Sequence, residues 1–353
     1  MPKLNICSQV IRRLWLMTVP AAVFAHHSLL GYEKSEFVAV EGEVTSIFWR
    51  NPHIRLTIRT AAEAGQEELW TIEGGPVNRM ERLGISPERV HVGDRIKISG
   101  HLSSRVENTV QAVHITLASG QELVLDPESA SVFGLADEVG RTASSAADDE
   151  AVEAAIRQAH GIFRVWSNRG RHWIQDSREW GVRVHPLTDT ARIAQEAWDQ
   201  PTDDIALRCI PAGMPEAIMM PFPIEFIEQD GDILLHIEEW DNVRTIHMGD
   251  EADVDDLAPS SLGTSVGYWE ENTLVVRTNN IDYPFFDDRG TPQSEAVEIF
   301  ERFTLSEDES RLDWVATVFD PETFTEPVTM PELHWDWVPG EELKAYNCTV
   351  ADN

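Results

Sequence analysis

Positive charge, cysteine and long apolar runs are all scarce in this chain, and each shortage removes a class of function. Lys and Arg number 28 against 61 Asp and Glu, a formal net charge of −33. A field of that sign repels phosphate backbones and anionic lipid surfaces, which disfavours nucleic-acid and membrane-surface partners. The three cysteines, Cys7, Cys209 and Cys348, form no CxxC pair, so dithiol redox and zinc-ribbon chemistry are absent. No GxSxG elbow, Walker loop, HExxH or dinucleotide glycine fingerprint occurs, which lowers hydrolase, nucleotide-binding and zincin readings. No apolar stretch reaches the roughly 20 residues that a membrane-spanning helix needs.

What is present at the start is an export signal. Lys3, Arg12 and Arg13 precede an apolar run from Leu14 to Phe24, and Val23 and Ala25 supply the small residues of a cleavage site. Residues 1–25 are therefore expected to be removed, leaving His26 as the new amino terminus in the periplasm or outside the cell. The remainder carries 25 basic and 61 acidic residues, a net of −36. Cys7 leaves with the signal, and in an oxidising compartment Cys209 and Cys348 are expected to form a disulfide.

The composition then divides the chain. Residues 126–160 are rich in Ala, Ser, Asp and Glu, with SSAADDE at 144–150, and read as a linker that turns helical near 150–158. Before it, residues 26–125 alternate apolar and polar positions as half-buried strands do: Val38, Val40, Val44, then Ile54, Leu56, Ile58. A short helix falls between Pro76 and Gly84. Five strands with a helix between the third and fourth is the order of an OB-like small barrel. After the linker, residues 161–353 read as an antiparallel β meander, with strands near 224–228, 233–239, 243–248, 265–269, 273–278, 296–305 and 311–319. Such a meander closes into a larger, lipocalin-like barrel or packs as a β-sandwich. The fold class is mostly β. Nine of the 12 tryptophans lie in this second part, which suits a packed core or an aromatic-lined cavity for a small apolar ligand.

Several motifs in the first part, AHHS at 25–28, EGEV at 41–44, WRNPH at 49–53 and VGDRIKISG at 92–100, resemble the DUF6152 family of small exported bacterial proteins. The second part resembles another set of exported bacterial proteins through ALRCIPAGMP at 206–215, RTIHM at 244–248, SVGYWE at 265–270, TLVV at 273–276 and ERF at 301–303. Those relatives usually read Gly-His-Ser where this chain has Gly263, Thr264 and Ser265, so any role of that histidine is absent or altered here. Neither resemblance implies a substrate.

Two constellations stand out. Val297, Ile299, Glu301, Phe303 and Leu305 share one strand face, as do Arg244, Ile246 and Met248, so each row carries one charge on an apolar side. Glu301 and Arg244 are expected to pair, as a structural ion pair or as the acid/base and anion clamp of an enzyme. The second constellation is the new amino terminus. The free amine and ring of His26, with His27 and His53, offer nitrogen ligands suited to Cu(II). The leading expectation is a binding protein for a small molecule, with copper as its one expected cofactor. An enzyme and an envelope interaction module are the alternatives.

Overall fold

The structure, a computed structural model, describes residues 32–61, 67–104, 106–126, 149–167, 184–220, 222–249 and 257–350. The expected signal segment, His26 and His27 lie outside the described residues, as does most of the expected linker.

The first barrel is built from β1 (Tyr32–Phe48), β2 (Arg55–Ala61), β3 (Glu67–Glu73), β4 (Arg95–Ser103) and β5 (Thr109–Leu117), with β6 (Glu122–Val124) added beside β5. The sheet runs β3-β2-β1-β4-β5-β6, and parallel pairing of β3 with β5 closes five strands into the OB-type ring. Alternation sets the inside: Val44, Ile58, Ile72, Ile96, Ile98 and Val110 are buried. Each such side chain contributes about 1.5–3 kcal/mol by leaving water. In β4, Gly100 is required by close approach, since a Cβ there would sit 1.9 Å from the Gln111 carbonyl oxygen. The helix α1 (Val77–Arg82) follows β3 and drives Met80 into this core.

Helix α2 (Asp149–Gln158) leads into the second barrel: β7 (Val165–Ser167), β8 (Ile224–Gln229), β9 (Asp232–Ile237), β10 (Asn242–Met248), β11 (Thr264–Glu270), β12 (Thr273–Asn279), β13 (Glu298–Leu305), β14 (Arg311–Phe319), β15 (Val328–Thr329) and β16 (Leu333–Trp337). Two short helices, α3 (Asp189–Ala197) and α4 (Gln200–Asp203), precede β8. Nine strands close into a ring, β13-β12-β11-β10-β9-β8-β7-β16-β14, through the pairing of β13 with β14. The outcome is thus a barrel and not a sandwich.

This barrel differs from a lipocalin-type meander in two respects. Strands β10 and β11 pair in parallel, so the connection between Met248 and Thr264 carries the chain back before the meander resumes. The interior is also filled: Trp166, Trp314, Trp335, Phe226 and Phe303 are fully buried in one continuous core with Leu235, Ile246 and Val276. The strands β7 and β15 left no period-two signal because two or three residues do not establish one, whereas β16 does alternate, with Leu333, Trp335 and Trp337 against His334 and Asp336.

Candidate functional site

Arg244 and Glu301 meet inside the second barrel, 1% and 0% exposed. Arg244 Nη1 donates to Glu301 Oε1 at 3.0 Å, and Nη2 donates to Oε2. The surrounding strands complete the set. Arg244 Nε donates to Ser265 Oγ at 2.8 Å, Thr278 Oγ1 reaches Glu301 Oε2 at 3.2 Å, and Trp314 Nε1 reaches Oε1 at 3.1 Å. One polar belt therefore crosses five consecutive strands, β10 to β14, with every member paired. A charge pair so enclosed needs all of these partners to offset its desolvation. The arrangement pins strand register in the core, and among the described residues it leaves no free oxygen for a substrate.

Cys209 and Cys348 are bonded, closing a separation of 139 residues. The bond lies beside the junction of the two barrels. Cys348 bridges to Asn51, and Thr349 N donates to the Asn51 carbonyl at 3.0 Å. Asn51, from the WRNPH corner after β1, is buried and serves both barrels. Its Oδ1 accepts from Val77 N at 2.7 Å, capping α1, which has no side-chain cap of its own. Its Nδ2 donates to Asn78 Oδ1 at 2.9 Å and to the carbonyl of Tyr346.

From α1, Asn78 and Arg82 reach Glu238, at the end of β9. Asn78 Nδ2 donates to Glu238 Oε1 at 3.1 Å, and Arg82 holds Glu238 with both terminal nitrogens and Glu341 with Nε at 2.6 Å. Burial alone would lower the Arg82 pKa, but the bonds and charges of Glu238 and Glu341 raise it. Between these clasps runs a groove of ≈ 460 Å³ lined by Trp49, Arg50, Val77, Pro87, Lys344 and Tyr346, among others. The indole Nε1 of Trp49 is buried there without a hydrogen-bond partner. His53 stands exposed just beyond the corner. It follows β1, whose 17 residues have a contour of roughly 50 Å.

Residues 14–110 match the family model described as a family of unknown function, DUF6152. The match takes in the WRNPH corner, α1 and β1 to β4, so the DUF6152 region supplies the first-barrel side of the junction. No curated protein matches the chain.

On the second-barrel side, next to the corner that the DUF6152 region contributes, four carboxylates gather. Glu239 lies in a single 3-10 turn, Glu239–Asp241, in which Trp240 (φ 62°) and Asp241 (φ 53°) are left-handed, a costly conformation for a tryptophan. The turn is held by Trp240 against the Tyr346 ring at 4.7 Å and by Tyr346 N donating to Asp241 Oδ1 at 3.0 Å. Glu238 then meets Asn78 and Arg82 of the DUF6152 region, while Glu239 lies among Asp288 and Asp204. Burial, then repulsion from Asp288 and Asp204, pushes Glu239 up to about 8. Glu216 accepts from Tyr283 Oη at 2.7 Å, yet burial and Asp288 hold its pKa well above the carboxylate range. Gly213 permits this contact, since a Cβ there would sit 2.4 Å from the Tyr283 ring.

Asp288 is 46% exposed, but desolvation by the surrounding atoms and the charge of Asp287 push it up to about 6. Burial raises Asp204 as well, opposed by the bond from Ala206 N and the charges of His53 and Arg208. Asp287 behaves differently. Burial would raise it, but hydrogen bonding and charge from His185, with Arg289 and Thr291, keep it low.

Sequence reasoning missed this group because it read strand through residue 239, whereas β9 ends at Ile237. The available signal was the ALRCIPAGMP motif, which joins Asp204 to Glu216. Among the described residues, no three His, Cys, Asp or Glu side chains converge as metal ligands.

Proposed function

We propose that the protein is an exported small-molecule binding protein that takes its ligand in the groove between the two barrels. The buried, unpartnered indole N–H of Trp49 carries this reading. A donor left unpaired inside a groove of ligand size costs free energy that a bound acceptor recovers. Val77, Pro87 and Tyr346 line the groove beside it, so the ligand is a mainly apolar molecule with one acceptor atom. The signal segment supports delivery to the periplasm or the exterior. Native mass spectrometry of protein recovered from the periplasm tests both parts, reporting a start at His26 and a co-purified small molecule. The bound mass should vanish in Trp49→Phe, which keeps the ring and removes the donor. Retention of the same ligand by that variant would place the site elsewhere.

Two further properties belong to this proposal. His26 at the processed terminus, through its amine and ring, binds Cu(II) with His27, and His53 joins only where the segment folds back along β1. One residue added before His26 should abolish tight binding while keeping every histidine. Equal copper affinity in that variant would reject the site. An interaction surface is favoured by the exposed outer face of β11 to β14, where Tyr268 is 54% exposed and Phe300 packs edge-on against Phe319 at 5.4 Å. A shift of these residues' amide signals on adding a second envelope protein would identify the partner, whereas shifts confined to the groove would exclude the face.

A further inference from the structure

The carboxylate group around Glu239 has no part in the groove and is not explained by packing. Glu239 is 8% exposed, and its Oε2 is buried with no hydrogen-bond partner. Buried carboxylate oxygens are ordinarily satisfied, because an unpaired one forfeits its water without return. The groups that face it make matters worse. Asp288 and Asp204 add negative charge, Glu216 feels Asp288 and Glu239, Asp287 acts on Asp288, and Tyr346 feels Glu239 and Glu238 together. The cations nearby partly offset the flanking acids but not Glu239: Arg208 and His53 act on Asp204, and Arg289 approaches Asp288 at 4.0 Å. The left-handed pair Trp240 and Asp241 holds Glu239 in this position at the expense of backbone strain.

We propose that Glu239, Asp288, Asp204 and Glu216 form a binding site for an organic cation, an alkylammonium whose N–H groups pair with Glu239 and Asp288. Three observations select this ligand class. A bound N–H donor satisfies the orphaned oxygen and a positive charge relieves the mutual repulsion, which no neutral ligand does. A bare metal ion needs several ligands within about 2.6 Å of one point, and these side chains do not converge so closely. An ammonium carried on a methylene chain spans wider spacing, and its body meets aromatic faces: Tyr283 leads to Phe285 at 6.2 Å, and Phe285 to Trp198 at 6.4 Å. The excess of acidic residues over the whole chain draws cations toward the site.

Because Glu239 must ionise to accept the cation, affinity rises with pH. At pH 6 only about 1% of a group titrating near 8 is ionised, against half at pH 8, and the competent fraction scales the apparent affinity. Isothermal titration of the full mature chain with 1,4-diaminobutane at pH 6 and pH 8 tests the proposal. Saturable binding is expected at pH 8, at least about ten-fold weaker at pH 6. Glu239→Gln and Asp288→Asn should each weaken it by about ten-fold or more, and Trp49→Phe should leave it unchanged. Both acid variants remove a like charge, so they are expected to fold, and circular dichroism verifies it. Absence of saturable heat at pH 8, affinity indifferent to Glu239→Gln, or displacement of the diamine by equimolar Ca²⁺ would each overturn the proposal. Loss of binding in Trp49→Phe would instead assign the amine to the groove.

Discussion

Replacing Glu301 by alanine should unfold the second barrel before the first. Glu301 accepts four hydrogen bonds, two from Arg244 and one each from Thr278 and Trp314, all away from water. Its removal leaves the Arg244 guanidinium buried with only neutral side-chain partners, Ser265, Thr278 and the Met214 sulfur, and Trp314 without an acceptor. Stranding a buried charge costs about 3–5 kcal/mol. For a unit of 150–250 residues each kcal/mol corresponds to about 2–4 °C, so the melting temperature should fall by roughly 6–20 °C. Urea unfolding followed by tryptophan fluorescence reports mainly on this part of the chain, because nine of the 12 tryptophans fall within residues 161–353. The double variant Arg244→Met, Glu301→Leu separates pairing from packing, because it removes both charges and keeps volume. Its cost should fall short of the sum of the single variants by at least about 1.5 kcal/mol. An unchanged midpoint for Glu301→Ala, or strict additivity in the cycle, would refute the account of the belt as a closed ionic network.

The titration of Glu239 gives a second test. Its folded pKa is raised to about 8 from an ordinary 4.5, so its contribution to stability is complete below about 4.5 and is lost as pH rises through 8. Glu239→Gln should therefore gain on the wild type between pH 5.5 and pH 8, at up to about 1.4 kcal/mol per pH unit, and a constant difference in urea midpoints would contradict it. Reducing the Cys209–Cys348 bond, with its 139-residue separation, should cost about 5 kcal/mol on the chain-entropy model, read as the change in unfolding free energy with and without reductant. Asn51→Ala removes the cap of α1 and the clasp on Tyr346, and should cost about 1–3 kcal/mol. Hydrogen exchange should speed up in α1 and at residues 344–349 together; acceleration in α1 alone would mean that the corner does not join the barrels.

Alternation along single strands was enough to place most of both barrels. Ile96 and Ile98, or Ile299, Glu301 and Phe303, carry their inward direction in the sequence, because a pleated strand turns successive residues to opposite faces whatever surrounds them. The same rule put Arg244 and Glu301 on interior faces, and with Cys7 assigned to the expected signal segment the cysteine count left one pairing. Ring closure was not legible in this way. The parallel contact of β3 with β5 and the pairing of β7 with β16, Ser167 opposite Asp336, join residues far apart in sequence, and no local periodicity encodes a partner. Nor was the filled interior of the second barrel legible, since tryptophan counts are the same for a packed lumen and an aromatic cavity.

The WRNPH corner shows the limit most clearly. Its sequence marked a turn, but that Asn51 caps α1 and grips Tyr346, 295 residues away, depends on how the two barrels meet. The carboxylate group arises likewise from the 3-10 turn at Glu239, the loop at Asp288 and the segment between Asp204 and Glu216. Each is an unremarkable acid in its own stretch of chain. Only the tertiary structure brings them within reach of one another, and there burial and like charge, acting through space, set their chemistry.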